Sequence, residues 1–294
     1  MNFKGIILSG GTGTRLGHLT KATSKQLLPI FDKPMIFYPL SVLMLAGIKD
    51  IAIITNPEHL QAYKKLLKGV EKLGVNLTYV EQEKARGLSE AYLLCEDFLG
   101  GSSSMMLLGD NIFYGSGLSG LIQATISSNK GASIFGYRVM DPERYGIAEI
   151  NDTNQVVSIE EKPKNPKSNL AITGLYIFDG TAPKRAKLIE PSSRGELEIT
   201  DLIKSYLNEN NADLTILPRG IAWLDTGTPE SLLEASQFVH TVQQRQGLFI
   251  ACLEEIAFKN KWISETAFRQ IIDDYHVKSF KEYLLKILHS SEKP

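Results

Sequence analysis

Short apolar runs alternate with stretches of helical periodicity through the first half of the chain, and that alternation limits the possible folds more than any other feature. Strand-like runs at 5–8, 51–55, 77–80 and 104–108 are separated by helical patterns at 34–46, 59–73 and 89–98. Strands joined through helices return parallel, which predicts βαβ units in an α/β fold. From residue 131 the character changes to strands at 132–137, 146–150, 156–159, 171–178 and 214–217, punctuated by Asn151-Asp152 and Asn165-Pro166. No Gly/Ser linker or charge run marks a boundary, so this part reads as an elaboration of the same sheet. An amphipathic helix follows at 230–244, and then a helical tail at 262–288 with Ser264 as a cap.

In open α/β sheets ligands gather at the carboxyl ends of strands. The first strand runs into a glycine-dense turn, I-I-L-S-G-G-T-G-T-R-L, and after Ser24 comes K-Q-L-L-P-I-F-D-K-P-M-I. Gly10, Gly11 and Gly13 let backbone N–H groups approach phosphate oxygens, while Arg15 and Lys25 add the charge that amides lack. The spacing excludes a Walker A loop, because Lys25 lies twelve residues beyond Gly13 and Gln26 follows it. It also fails the dinucleotide fingerprint, since Gly17 is one residue out of register and Pro29 and Pro34 interrupt any helix. A nucleoside triphosphate site remains.

A net charge of -1 argues against a nucleic-acid binder, so local cations must handle the phosphates. Cys95 and Cys252 stand far apart with no C-x-x-C, which suggests two buried thiols rather than a disulfide or zinc site. Neither a cleavable signal nor an apolar run of membrane-spanning length is evident, and the expectation is a cytoplasmic enzyme with no membrane partner.

Asp110 ends an apolar strand, and Asp225 follows Trp223-Leu224 before a proline-opened helix. Two such carboxylates converging would suit Mg²⁺, which takes a few oxygen ligands plus substrate phosphates. Each alone reads equally well as a turn former or helix cap. Glu161 can accept hydrogen bonds from sugar hydroxyls and Lys162 can hold a phosphate, with Pro163 permitting a turned arrangement; a solvated hairpin end is the plainer alternative. Arg194 to Asp201 reads as a helix start. Gln82 could present donor and acceptor together to a pyrimidine edge, and Gly87 could bring its N–H close to the base.

The ordered set L-S-G-G-T-G-T-R-L, S-K-Q-L-L-P-I-F-D-K-P-M-I, L-L-G-D-N, D-P-E-R-Y-G, E-E-K-P, T-G-L-Y, R-G-E-L-E-I-T-D and W-L-D-T-G-T resembles sugar-1-phosphate nucleotidylyltransferases over about residues 3–288. Within them it is most similar to glucose-1-phosphate thymidylyltransferases of the longer form. The resemblance implies a Rossmann-like three-layer α/β/α sandwich with a mostly parallel central sheet. It implies a core at 1–240, with a nucleotide-binding part at about 1–130 and a sugar-binding part at about 131–228, and a C-terminal helical extension at 241–294. It further implies that Gly10, Gly11, Gly13, Thr14 and Arg15 wrap the triphosphate with Lys25, that Gln82 and Gly87 read thymine, and that Asp110 and Asp225 bind Mg²⁺. Gly146, Glu161 and Thr173 would contact glucose and Lys162 its phosphate, with Arg15, Lys25, Lys162 and Asp110 as the catalytic set. The implied substrates are dTTP and glucose 1-phosphate, the products dTDP-glucose and pyrophosphate, and the assembly a homotetramer opening dTDP-deoxysugar synthesis.

The chain departs from the family pattern at Ser9, usually alanine, and His18, usually proline. The base-side loop, usually Q-P-S-P-x-G-L-A-Q-A, reads Q-E-K-A-R-G-L-S-E-A from Gln82 to Ala91, which leaves thymine-over-uracil selectivity open. Ser119 and Gly120 occupy a stretch where relatives often carry His-Glu, and Phe249 replaces a frequent lysine, so the family's end-product feedback at a second nucleotide site is expected to be weak or absent. A uridylyl- or cytidylyltransferase is the alternative chemistry. A non-catalytic nucleotide-sugar-binding subunit would be marked by loss of a catalytic charge, yet Arg15, Lys25, Asp110, Lys162 and Asp225 are all present.

Overall fold

The computed structural model describes residues 3–291 apart from Thr12 and Asn154, so one position of the glycine turn lies outside the described residues. In chain order the strands are β1 (Phe3–Leu8), β2 (Pro29–Ile30), β3 (Lys33–Pro34), β4 (Asp50–Thr55), β5 (Asn76–Glu81), β6 (Ser103–Leu108), β7 (Asn111–Tyr114), β8 (Ala132–Arg138), β9 (Gly146–Ile150), β10 (Val156–Glu161), β11 (Leu170–Phe178), β12 (Ala212–Ile216) and β13 (Ala222–Asp225). The main sheet runs β10-β9-β11-β6-β1-β4-β5, with β8 paired to β11 and β12 to β8. β1 pairs parallel with both β4 and β6, and β4 with β5. The strand-rich segment adds antiparallel pairings through β11, β9 and β10.

Alternation along the central strands sorts side chains into two cores. Ile7, Ile51, Ile53 and Leu107 pack on one face with helices Phe37–Leu45 and Leu118–Ser128, while Ile6, Ile54 and Met106 pack on the other with helices Glu90–Leu94 and Ile199–Leu207. This is the expected sandwich. The first core also takes in Leu253 and Ile256 from helix Leu253–Lys259, an element the sequence patterning does not reveal.

Several expected helices are shorter than their patterns. The helical pattern at 34–46 begins only at Phe37, because Pro34 pairs in the small β2–β3 hairpin. The pattern at 59–73 is α-helical over Leu60–Leu66 and breaks at Gly69, whose φ is 99°. The tail splits into Glu265–Asp274, capped by Ser264 as expected, and Lys278–Ser291. Helix Pro229–Gln246 opens with a Thr228–Ser231 capping box and runs through the 240/241 boundary expected from sequence. Its Ala235 and Val239 pack against Ile30, Met35 and Tyr38 of the first half.

Candidate active site

The glycine loop and the Gly109-Asp110 turn leave adjacent parallel strands, and Gly109 N donates to Leu8 O at 2.9 Å. Gly13 opens the 3₁₀ turn Thr14–Thr20 with φ of 60°, a left-handed value natural to glycine. Lys25 sits on another short 3₁₀ turn, where Ser24 donates to the Gln26 side chain and Ile36 N to Gln26 O. That turn is packed so that the Lys25 side chain is 6% exposed, and a buried ammonium requires a carboxylate. Asp110 provides it at 2.6 Å. Burial acts to raise the Asp110 pKa, but the Lys25 charge and hydrogen bonds from Lys25 and Asn111 outweigh it and hold the group below the usual carboxylate range.

The second aspartate arrives through a feature that sequence patterning does not disclose. β13 pairs antiparallel with β7, and Asp225 stands opposite Asn111, one residue beyond Asp110. Thr226 closes the junction by donating both its N–H and its hydroxyl to Asp110 O. Asn111 ties the centre together. Its amide nitrogen donates to Asp110 at 2.8 Å, and its oxygen accepts from Trp223 Nε1 at 2.6 Å and Gly174 N at 3.2 Å.

Two adjoining concavities meet here. The first is lined by Gly11, Gly13, Thr14, Lys25 and Gly227, and the second by Tyr145, Gly146, Glu161, Lys162, Thr200 and Asp225. Arg15 and Asp110 line both. The Arg15 guanidinium makes no salt bridge among the described residues and lies against Gly227, with Nη2 2.9 Å from where a Cβ on that residue would stand. Asp225 accepts from Tyr145 at 3.0 Å and pairs with Arg144 at 3.1 Å. Burial and the Asp225 charge push the Tyr145 phenol up, so the hydroxyl stays a donor.

Glu161 ends β10 beside Lys162, whose φ of 43° is a strained value for a lysine and aims its chain away from regular pairing. Burial raises the Glu161 pKa, partly countered by Lys162 at 3.9 Å and Arg194 at 3.6 Å. Arg194 also binds Glu198 at 2.8 Å and Glu196 at 3.3 Å, so the expected helix start at 194–201 borders the site. Gly146 leaves room for Glu161 Oε2, 3.2 Å from a Cβ placed there. Thr173 is fully buried, its hydroxyl has no hydrogen-bond partner among the described residues, and its neighbours Ile172 and Gly174 line the cleft instead. Thr200, likewise without a side-chain partner among the described residues, does line it, and sequence patterning gives no signal for this.

At the residues expected to read the base, Asn56 faces Gly10 O at 2.9 Å and Gln82 O at 3.0 Å, which only its amide nitrogen can satisfy; Gln82 and Gly87 themselves line neither concavity. Gly10 is the close-approach position, since a Cβ there would stand 2.0 Å from Gln82 Oε1, whereas Gly11 faces open space. Gly87 has φ of 108° and packs on Leu197, whose N and O lie 2.4 Å from a built Cβ. Backbone bonds from Leu197 N to Arg86 O and from Ser89 N to Leu197 O hold this loop to the 194–201 segment. Close backbone packing therefore accounts for glycine at position 87.

Asp110 and Asp225 supply hard carboxylate oxygens facing one cleft, and no cluster of three or more His, Cys, Asp or Glu that could hold a metal occurs among the described residues. Two carboxylates with room for substrate phosphates fit Mg²⁺ rather than an ion needing a protein cage. No described helix is long and apolar enough to cross a membrane.

A protein from Neisseria meningitidis named glucose-1-phosphate thymidylyltransferase is 49% identical over 285 residues, covering 97% of this chain and 99% of its own length. One of the same name from Mycolicibacterium smegmatis is 45% identical with the same coverage. A Bacillus anthracis crystal structure with sucrose, titled as a glucose-1-phosphate thymidylyltransferase, superposes with TM-score 0.74 at 41% identity, covering 80% of this chain and 94% of that one. UDP-glucose pyrophosphorylase with UDP-glucose superposes with TM-score 0.70 at 25% identity, covering 82% and 99%. The profile of the Nucleotidyl transferase family matches residues 4–242, and with this fold, this pair of concavities and these relatives the chain belongs to that family.

Proposed function

We propose that the chain transfers dTMP from dTTP to α-D-glucose 1-phosphate, giving dTDP-glucose and pyrophosphate. The observation that carries this reading is the sharing of Arg15 and Asp110 between a glycine-and-lysine concavity and a carboxylate-and-lysine one. A nucleoside triphosphate in the first and a sugar phosphate in the second would meet at those two side chains.

The sugar phosphate is ionised at neutral pH and needs no general base. One of its oxygens forms a bond to the α-phosphorus while the bond to the bridging oxygen of the β-phosphate breaks, and that electron pair leaves on pyrophosphate. Catalysis is then positioning and charge neutralisation. The glycine-loop amides cradle the triphosphate, Arg15 donates to charge growing on the leaving group, and Lys162 holds the incoming phosphate. Glu161 and the cleft beside Gly146 receive sugar hydroxyls. Asp110 and Asp225 would hold Mg²⁺, which when bound neutralises phosphate charge. Lys25 holds the Asp110 carboxylate in its ionised, oriented form. Cytoplasmic placement and a homotetrameric assembly belong to the same reading, and light scattering of the purified chain checks the latter.

Pyrophosphate release from dTTP and glucose 1-phosphate, with and without Mg²⁺, tests the proposal; no dTDP-glucose would overturn it. The charged loop Glu83, Lys84 and Arg86 and the likeness to a UDP-glucose enzyme favour UTP dependence as the second reading. Initial rates with dTTP and UTP separate the two, since one methyl group in a pocket is worth about 10 to 200-fold.

A further inference from the structure

All four carboxylate oxygens of Asp110 and Asp225 are met by protein donors. Asp110 accepts from Asn111 Nδ2 on Oδ1 at 2.8 Å and from Lys25 Nζ on Oδ2 at 2.6 Å. Asp225 accepts from the Tyr145 hydroxyl on Oδ1 at 3.0 Å and from Arg144 Nη2 on Oδ2 at 3.1 Å. Two negative charges are thus balanced by two positive ones. Three of the four donors are held in place: Asn111 is 3% exposed, the Lys25 side chain is 6% exposed, and Tyr145 is set by the Trp223 ring at 5.2 Å and by Lys162 N donating to its carbonyl. Arg144 differs. Its side chain is 37% exposed, it ends the 3₁₀ turn Pro142–Arg144, and its Nη1 already holds a second carboxylate, Asp141, at 2.6 Å. Letting go of Asp225 would therefore strand no charge on the arginine.

We infer that Arg144 is a stand-in cation, which neutralises Asp225 until a nucleoside triphosphate arrives and so keeps the free protein from loading a divalent metal at this carboxylate pair. This rests on the nucleotidylyltransferase reading above and on Asp110 and Asp225 as the metal's ligands. A dication approaching the pair alone meets the charges of Lys25 and Arg144 and gains only two protein carboxylates, whereas magnesium sites are completed by substrate phosphates. A triphosphate brings those oxygens and their negative charge, which offset the repulsion and leave Arg144 to Asp141. The D-P-E-R-Y-G run from Asp141 to Gly146 supplies both the arginine and the carboxylate that receives it.

The test is a titration of Mn²⁺, whose free ion is counted by electron paramagnetic resonance, into nucleotide-free wild type, Arg144→Gln, Arg144→Ala and the double variant Arg144→Gln/Asp225→Asn. Both single variants should bind Mn²⁺ at least about tenfold more tightly than wild type, and the double variant should lose that gain. Two replacements of different size guard against a local distortion at one of them, and a merely structural role for Arg144 would loosen the site rather than tighten it. Unchanged or weaker Mn²⁺ binding in both single variants overturns the inference. A gain that survives Asp225→Asn overturns it too, because the metal would then sit elsewhere. The underlying reading fails on a separate measurement: wild-type protein that forms no dTDP-glucose from dTTP, glucose 1-phosphate and Mg²⁺ overturns that reading, and the inference with it.

Discussion

Gly227→Ala should separate the placement of Arg15 from the stability of the fold. Gly227 is not among the glycines with positive φ, so alanine meets no backbone penalty there. Its Cβ would stand 2.9 Å from Arg15 Nη2, 3.2 Å from Cζ and 3.3 Å from Nη1, where ordinary contact begins at 3.4 Å. The guanidinium must therefore withdraw by about 0.5 Å, a modest demand on a long exposed side chain, and stability should change by no more than about 0.5 kcal/mol. Catalysis is less tolerant. A displacement of about 1 Å is worth about 10²-fold, so half of that predicts a kcat loss on the order of tenfold, against about 10²- to 10³-fold for Arg15→Ala. Pyrophosphate release and thermal melting would be measured in parallel, with the double variant alongside. Once Arg15 is gone the new methyl has nothing to displace, so the double variant should match Arg15→Ala alone. Turnover of Gly227→Ala within twofold of wild type, or additive losses in the double variant, would refute the argument.

Asp225→Asn should raise the Mg²⁺ concentration needed for half-maximal rate by about tenfold or more while leaving the fold intact, because the one remaining oxygen can still accept from Tyr145 and Arg144 keeps its pairing with Asp141 at 2.6 Å; an unchanged Mg²⁺ titration counts against Asp225 as a ligand. Glu161→Gln should stabilise the protein at neutral pH. The folded Glu161 pKa is raised, chiefly by burial, so its contribution to stability is fully present below the unfolded value of about 4.3 and is lost as pH rises through the folded value; melting-temperature gains should therefore appear at pH 7 and vanish below about pH 4. Phe249 is packed against Phe280 and Tyr283 at ring separations of 4.9 and 5.1 Å, beside a cavity of about 480 Å³ that Ser119 also lines. With Ser119 and Phe249 neutral there and the Lys259 charge on the same wall already paired with Glu255 at 2.5 Å, dTDP-glucose should titrate to one site per chain in calorimetry and inhibit only as a product.

Much of the candidate site was legible because the parts proposed to face phosphate are local. Gly10 to Arg15 is a contiguous turn at a strand end, and Asp110 closes a run of apolar residues, so chain order alone places both at the carboxyl edge of a parallel sheet. What joins the two carboxylates was not legible. The β7–β13 ribbon pairs residues more than a hundred positions apart, and neither of its short strands alternates strongly enough to announce a partner. At Gly87 the approach of Leu197 requires a glycine whether or not its N–H also meets a ligand, and that packing has no signature in the sequence. Thr200 and Arg194 escaped because a helix start accounts for their sequence economically, while their second role depends on where that helix end lands. The broken patterns at 59–73 and 262–288 show how apolar periodicity continues across a left-handed glycine or an extended turn without registering the interruption.

β11 is a single buried strand of nine residues that belongs to both halves of the molecule. On one edge it holds β9 at Ala171 and then β6 from Leu175 to Phe178, and on the other it follows β8 along its length apart from one irregularity. It works as a shared beam under both concavities. Lobes joined this way cannot swing apart as rigid bodies, so any gating of the cleft must be local, in segments such as the Arg86–Gly87 loop or the Lys162 turn. The same beam should make the two compartments melt together in one cooperative transition.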